Sequence, residues 1–314
     1  MKRAIGIGID AGGTFTKIVA ATRTGRILAQ QSLPTVPEGG PRRFVRRMAD
    51  SVRVLERGLG AKGSVTLAIA GEVDLDRGAL RCSPNLAAFE GFPLRRAMGA
   101  ALRRRLSLHN DANMAGWGCY AFEFGRRFPS VVAITMGTGI GGGIVLDRRL
   151  FTGSTGSAAE IGHARIRDGS FPCRCGARGC LEAHAGSYGV LRTLREVLRE
   201  RPRAASALRA LRRIEPKDVS EAARRGDRVA REVWERVGRA LGQGIVNLVY
   251  LLNPDAIALT GGLSSASPYF MGALRRVIRG ESFSTPFSHT VIRASRHAGL
   301  GALGAALYSL EDAD

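Results

Sequence analysis

The 314-residue chain is 45% apolar, contains 41 Gly and only 2 Trp, and carries a formal charge of +20. That length and apolar content suit two domains with separate cores. The glycines cluster at turns and do not recur every third residue, which excludes a collagen-like fibre. Of the 47 basic residues only four are Lys, and the Arg residues scatter from Arg3 to Arg296 with no basic recognition helix. The charge therefore reads either as Arg-rich composition or as a surface for a polyanion, and specific nucleic-acid binding is not expected.

In chain order, strands are expected at 4–9, 15–22 and 27–33, forming a small antiparallel meander around the turn Asp10-Ala11-Gly12-Gly13-Thr14. A polar connection over 34–41 leads to a helix at 42–57, stopped by Gly58 and Gly60. A compact strand follows at 65–70. The segment 82–92, with Pro84-Asn85, reads as an irregular loop, and a short helix is expected at 94–105. Leu106-Ser107-Leu108 then leads into Asn110-Asp111 and a helix of small residues starting near Ala112.

A second module starts with a strand at 131–136, a glycine-rich turn over 137–143 and a strand at 144–146, repeating the plan of the N-terminus. The longest helical signal runs from about 220 to 252, where Val233, Val237, Leu241, Ile245, Leu248 and Leu252 form an apolar stripe that Pro254 ends. A strand at 256–259 enters Thr260-Gly261-Gly262, and helices are expected at 269–278 and 300–310.

Three of the five Cys lie within eight residues. Cys173, Cys175 and Cys180, with His163 upstream, have poor spacing for a disulfide framework and good spacing for a tetrahedral zinc site. Four protein ligands would close the coordination shell, so the metal is expected to be structural. The second ring nitrogen of His163 remains available to another partner. No signal peptide or stretch of some 18 apolar residues is evident, and reduced thiols fit a cytoplasmic protein without a membrane segment.

Asp111 can orient an alcohol and accept its proton during phosphoryl transfer, but the same residue could simply cap the following helix. Asp10, a carboxylate near the expected triphosphate, could hold hydrated Mg²⁺ or position a water. Gly12, Gly13, Thr14 and Lys17, and in the second turn Thr138 and Gly139, are candidates to meet phosphate; tight hairpin geometry is the alternative. No Gly-Lys-Ser/Thr completes a P-loop, and the first turn sits between hairpin strands, which argues against a nicotinamide-dependent dehydrogenase. Glu160 and Glu182 flank the metal cluster. With Asn85 and Asn110 they offer the carboxylates and amides that sugar hydroxyls require, or they cap and solvate nearby helices.

Across nearly its whole length the chain resembles the ROK family of sugar kinases and related repressors. Asp10-Ala11-Gly12-Gly13-Thr14 is similar to the family's first phosphate motif and Asn110-Asp111 to its catalytic pair. Glu160-Ile161-Gly162-His163 with Cys173-Arg174-Cys175-Gly176-Ala177-Arg178-Gly179-Cys180-Leu181-Glu182 is similar to its zinc and sugar signature. The resemblance implies an α/β, actin-like (ribonuclease H-like) ATPase fold with two lobes around a central cleft. The lobes would be 1–114, completed by a helix at 297–314, and 115–296. It implies Asp111 as base, and Asn85, Asn110, Glu160, His163 and Glu182 on the sugar. Thr138 and Gly139 would lie at phosphate, Gly261 and Gly262 near adenosine, and zinc on His163, Cys173, Cys175 and Cys180. The implied activity is ATP- and Mg²⁺-dependent phosphorylation of a hexose, glucose first, in a homodimer. Kinases for N-acetylglucosamine or fructose, a polyphosphate-using glucokinase and a non-enzymatic sugar sensor are the alternatives. The strand at Ile5 leaves no room before it for the repressors' DNA-binding region, and His184 stands where the family often has an apolar or aromatic residue.

Overall fold

The computed structural model describes residues 4–35, 37–166 and 171–311. The chain divides into two compact units, one comprising Met1–Ala133, Gly143–Ala159 and Gly299–Asp314, the other Ile134–Gly142 and Glu160–Ala298.

The first unit opens with β1 (Ile5–Ala11), β2 (Phe15–Thr22) and β3 (Ile27–Pro34), followed by α1 (Gly40–Leu59) and β4 (Ser64–Ile69). A short hairpin, β5 (Glu72–Asp74) and β6 (Ala79–Cys82), precedes α2 (Leu94–Leu102), β7 (Ser107–Asn110) and α3 (Asp111–Gly118). The sheet order is β3-β2-β1-β4-β7: the first three strands are antiparallel, and β4 and β7 run parallel to β1. Phe44, Met48 and Val52 of α1 pack into a core with Ile7, Ile9, Leu67 and Phe89, the Phe44 and Phe89 rings lying 5.2 Å apart.

The remaining elements are β8 (Val131–Met136), β9 (Ile140–Leu146), β10 (Arg149–Leu150), α4 (Leu181–Ala185), α5 (Ser187–Glu200), α6 (Pro216–Arg224) and α7 (Arg228–Leu252). They continue with β11 (Ala256–Thr260), α8 (Ser267–Arg279), β12 (Val291–Ala294) and α9 (Leu300–Glu311). The second sheet has the order β10-β9-β8-β11-β12. In the second unit α7 buries Val233, Trp234, Val237, Leu241 and Ile245, and Trp234 meets Phe270 of α8. Mixed sheets with flanking helices make this an α/β fold consistent with the ribonuclease H-like, actin-type ATPase class.

In the first unit α9 lies directly on β1. The alternation Ile5-Gly6-Ile7-Gly8-Ile9 puts a bare backbone under the helix, and a Cβ on Gly8 would overlap the carbonyl oxygen of Ala302. Because the obstacle is backbone, no rotamer change relieves it. Gly8→Ala is expected to cost about 3 kcal/mol or more, read as a lower urea midpoint. An unchanged midpoint would show that α9 does not dock this closely.

Several expectations are corrected. The second glycine run is not one turn: the turn is confined to Gly137–Gly139, and Gly141–Gly143 belong to β9. Gly143 serves close packing, since a Cβ there would sit 2.5 Å from the Ala112 carbonyl oxygen. The long helix is two, α6 and α7, separated at Gly226 with φ of 92° and restarted by Asp227, whose side chain accepts from the Ala230 N–H at 3.1 Å. Helices α4 and α5 and the hairpin β5–β6 were not expected. The expected helix over 297–314 is observed from Leu300 to Glu311, and 312–314 lie outside the described residues.

Candidate functional site

The first unit gathers its polar candidates at the carboxyl ends of its parallel strands, where open α/β sheets place ligands. Ala11, Ile69 and Asn110 stand in one row across β1, β4 and β7. Asn110 is the N-cap of α3. Its Oδ1 accepts from the Ala112 and Asn113 N–H groups at 2.8 and 3.1 Å, and its Nδ2 donates to the Gly71 carbonyl at 2.9 Å. Asp111 is therefore not the cap but the first helical residue, with Oδ1 accepting from the Ala112 N–H at 2.9 Å.

Asp10 faces this group from β1, directly opposite Lys17 on β2. Burial, then the neighbouring Asp111 charge, raises the Asp10 carboxyl to about 7, against the lowering effect of Lys17. Burial also raises Asp111 above the ordinary carboxylate range. Two carboxylates in one poorly solvated place are what a proton acceptor and a cation ligand require. Gly301, at the start of α9, comes close enough that a Cβ there would lie 2.5 Å from Asp10 Oδ2. The first turn is held by Gly12 N–H to Phe15 O at 3.1 Å and by the Thr35 hydroxyl donating to Gly12 O at 2.7 Å. Exposed Asn85 packs on Gly13, whose Cβ would be 2.7 Å from that of Asn85.

The second unit holds the metal cluster. A tight loop brings the three thiols together: the Cys173 N–H donates to Ala177 O at 2.7 Å, the Gly176 N–H to Cys173 O at 3.1 Å, and bridges pair Pro172 with Arg178 and Arg165 with Cys180. His163 closes the set from a 3-10 turn over Ile161–His163. One ligand atom from each of His163, Cys173, Cys175 and Cys180 lies within 4.8 Å of all the others. Cys175 Sγ is 3.8 Å from Cys180 Sγ, and Cys173 Sγ is 3.8 Å from His163 Nδ1. Tetrahedral zinc with bonds of about 2.3 Å separates sulfurs by about 3.8 Å, so the donor set fits a structural zinc ion bound through Nδ1. The other ring nitrogen of His163 then points to Glu160, at 3.9 Å from Oε2.

Cys175→Ala, on the exposed side of the loop, is expected to lower bound zinc well below one per chain and to lower the thermal midpoint. Full metal occupancy with an unchanged midpoint would remove Cys175 from the ligand set.

Glu182, on α4 just after Cys180, touches both the glycine turn and the metal loop. Its Oε2 accepts from the Ile140 N–H at 3.0 Å and occupies the space a Cβ on Gly139 would need. Its Oε1 accepts from the Tyr188 hydroxyl at 3.1 Å, and that hydroxyl is also 3.4 Å from Cys173 Sγ. Ser187 adds a second clamp on the turn, its hydroxyl donating to Gly137 O at 2.7 Å. Thr138 remains exposed on that turn. Gly261, with φ of 91°, packs against Met136, and Gly262 opens on a cavity of about 280 Å³ lined by Lys217, Ser220, Leu263 and Tyr269. Tyr188 and Ser187 were missed in the sequence, because their roles depend on the chain breaking between α4 and α5 at Gly186. A hydroxyl-bearing pair just behind a metal motif was the available signal.

Residues 6–311 match the ROK family model. A glucokinase of Thermotoga maritima is 33% identical over 274 residues, covering 87% of this chain and 86% of the relative. A xylose repressor of Caldicellulosiruptor bescii is 26% identical, covering 92% of this chain and 74% of the repressor. Among solved structures, a ROK family glucokinase from Streptomyces griseus in complex with glucose and AMPPNP is 30% identical with a TM-score of 0.82, covering 98% of this chain and all of that one. No helix among the described residues is long and apolar enough to cross a membrane. With its two glycine turns, its Asn110-Asp111 pair and its His/Cys cluster, the chain belongs to the ROK family of sugar kinases and regulators, as a glucokinase-like member with a candidate zinc site.

Proposed function

We propose that this protein transfers the γ-phosphoryl group of ATP to the 6-hydroxyl of glucose. The observation that carries the reading is the carboxylate pair of the first unit: Asp111, relieved of capping by Asn110, beside a half-buried Asp10. Asp111 orients the hydroxyl and accepts its proton while the sugar oxygen bonds to the γ-phosphorus and the bond to the bridging oxygen breaks, releasing ADP. A raised carboxyl pKa suits Asp111 to hold that proton.

In this reading Asn85, Asn110, Glu160, His163 and Glu182 bind sugar hydroxyls. Gly12, Gly13, Thr14, Lys17, Thr138 and Gly139 meet the phosphates, and Gly261 and Gly262 border adenosine, which the adjacent cavity supports. Asp10 is the residue suited to hold hydrated Mg²⁺, since a poorly solvated carboxylate beside another calls for a cation. The ion supplies neutralisation of phosphoryl charge when bound. The family resemblance adds a homodimer to the proposal.

The test is a panel of glucose, N-acetylglucosamine, fructose and mannose with Mg²⁺ and either ATP or polyphosphate. The highest kcat/KM is expected for glucose with ATP, and a clear preference for another pair would replace the substrate. The repressor relative motivates the second reading, a sugar-responsive regulator. Hexose binding with no phosphoryl transfer to any sugar would favour it.

A further inference from the structure

We propose that Tyr188 is a positioning residue that ties Glu182 to the metal centre and thereby makes hexose affinity depend on that centre. The inference rests on the kinase reading for Glu182 as a sugar contact. It rests on geometry for the link itself.

The Tyr188 hydroxyl lies 3.1 Å from Glu182 Oε1 and 3.4 Å from Cys173 Sγ, and these two acceptors are 3.9 Å from each other. The other carboxylate oxygen is already fixed by the Ile140 N–H at 3.0 Å. Tyr188 is thus the nearer side-chain donor to Glu182 Oε1 and limits its remaining freedom. The ring is held in turn. The Arg174 guanidinium lies 4.6 Å from its centroid and that of Arg192 5.7 Å, while Arg192 donates to Pro172 O at 2.9 Å within the metal loop. Cations over its face are attracted to the ring and hold it in this place.

A zinc-bound sulfur carries no proton. Thiolate and carboxylate then face each other as two acceptors, and the Tyr188 proton is what keeps them together. Hydrogen bonds to charged groups are stronger than neutral ones, and a charged acceptor left without its donor costs more than the bond is worth. Removing the hydroxyl should therefore let Glu182 swing from the metal loop while the four ligands stay in place.

The experiment uses zinc-loaded Tyr188→Phe beside the wild type. The expected result is one zinc per chain, an unchanged KM for ATP, kcat within about twofold, and a KM and calorimetric Kd for glucose raised about 10-fold. In cobalt-substituted protein the sulfur-to-metal charge-transfer band should shift in the variant, since one thiolate loses its donor. Glu182→Gln should shift the same band the other way, because the hydroxyl then turns wholly to Cys173. Zinc-loaded Tyr188→Phe with wild-type glucose affinity would overturn the proposal. Loss of zinc from that variant would also overturn it, by showing that the hydroxyl serves the metal. If the wild type phosphorylates no hexose, the kinase reading fails and the cobalt bands still decide the link: shifts in both variants sustain it, and unchanged bands sink it. Should Tyr188→Phe not fold, the Glu182→Gln band alone decides in the same way.

Discussion

Asp111→Asn is expected to lower turnover by about 10²-fold or more while ATP binding and the cooperative thermal transition persist. The substitution keeps the size of the side chain and an oxygen for the Ala112 N–H, but it cannot accept the proton of the attacking hydroxyl. Helix α3 should survive because its cap is Asn110, bonded to two helix N–H groups and to Gly71. Asn110→Ala is the useful contrast. It removes three hydrogen bonds and should lower stability by about 1–2 kcal/mol, the usual scale of a lost cap. Near-normal turnover in Asp111→Asn would remove Asp111 as the base.

A second large effect is expected at Asp10, where function and stability oppose each other. Its folded carboxyl is raised to about 7, well above the ordinary unfolded value. The folded state therefore holds this proton more tightly, so stability from this group is complete below the unfolded value and is lost as pH rises through about 7. The apo protein should lose stability between about pH 4 and 7, by at most about 1.4 kcal/mol per pH unit from this residue. Asp111, raised by burial as well, acts with the same sign, and Lys17 opposes the shift of Asp10 only in part. Asp10→Asn should flatten that slope and leave the variant more stable than wild type at pH 8. Its turnover should fall steeply because the proposed Mg²⁺ ligand is gone. Denaturant titrations of both proteins at pH 5 and pH 8 measure the difference. A wild-type protein more stable at pH 8 than at pH 5, with the variant parallel to it, would show that Asp10 is ionised without strain.

The readable parts of this sequence were those in which local chemistry sets local structure. The meander around Gly12-Gly13 and the strand at 131–136 follow from apolar runs bounded by turn residues. The spacing of Cys173, Cys175 and Cys180, with two glycines between them, announces a metal loop because only a tight curl brings all three thiols together. What stayed hidden depends on distant partners. Gly143 looks like a turn residue, yet it lies within β9 because the backbone of Ala112 leaves no room for a side chain. The sequence offers Asp111 as a cap of α3. Oδ1 of Asn110, accepting from the Ala112 and Asn113 N–H groups, takes the cap instead, and the bond from its Nδ2 to Gly71 holds it there. The apolar stripe of α7 continues in phase toward α6, so periodicity alone did not reveal the break that Gly226 and Asp227 make. Tyr188 carried only the signal of a hydroxyl-bearing residue behind the metal motif, since its contact with Glu182 requires the kink between α4 and α5.

The most direct measurement is ³¹P NMR of the purified protein with Mg²⁺, ATP and glucose, run alongside Asp111→Asn. A phosphomonoester on the 6-oxygen of glucose should appear in one-to-one proportion with ADP in the wild-type sample and at a rate at least about 10²-fold lower in the variant. ATP that stays intact in the presence of bound glucose, or a phosphomonoester formed equally fast without Asp111, would contradict the account.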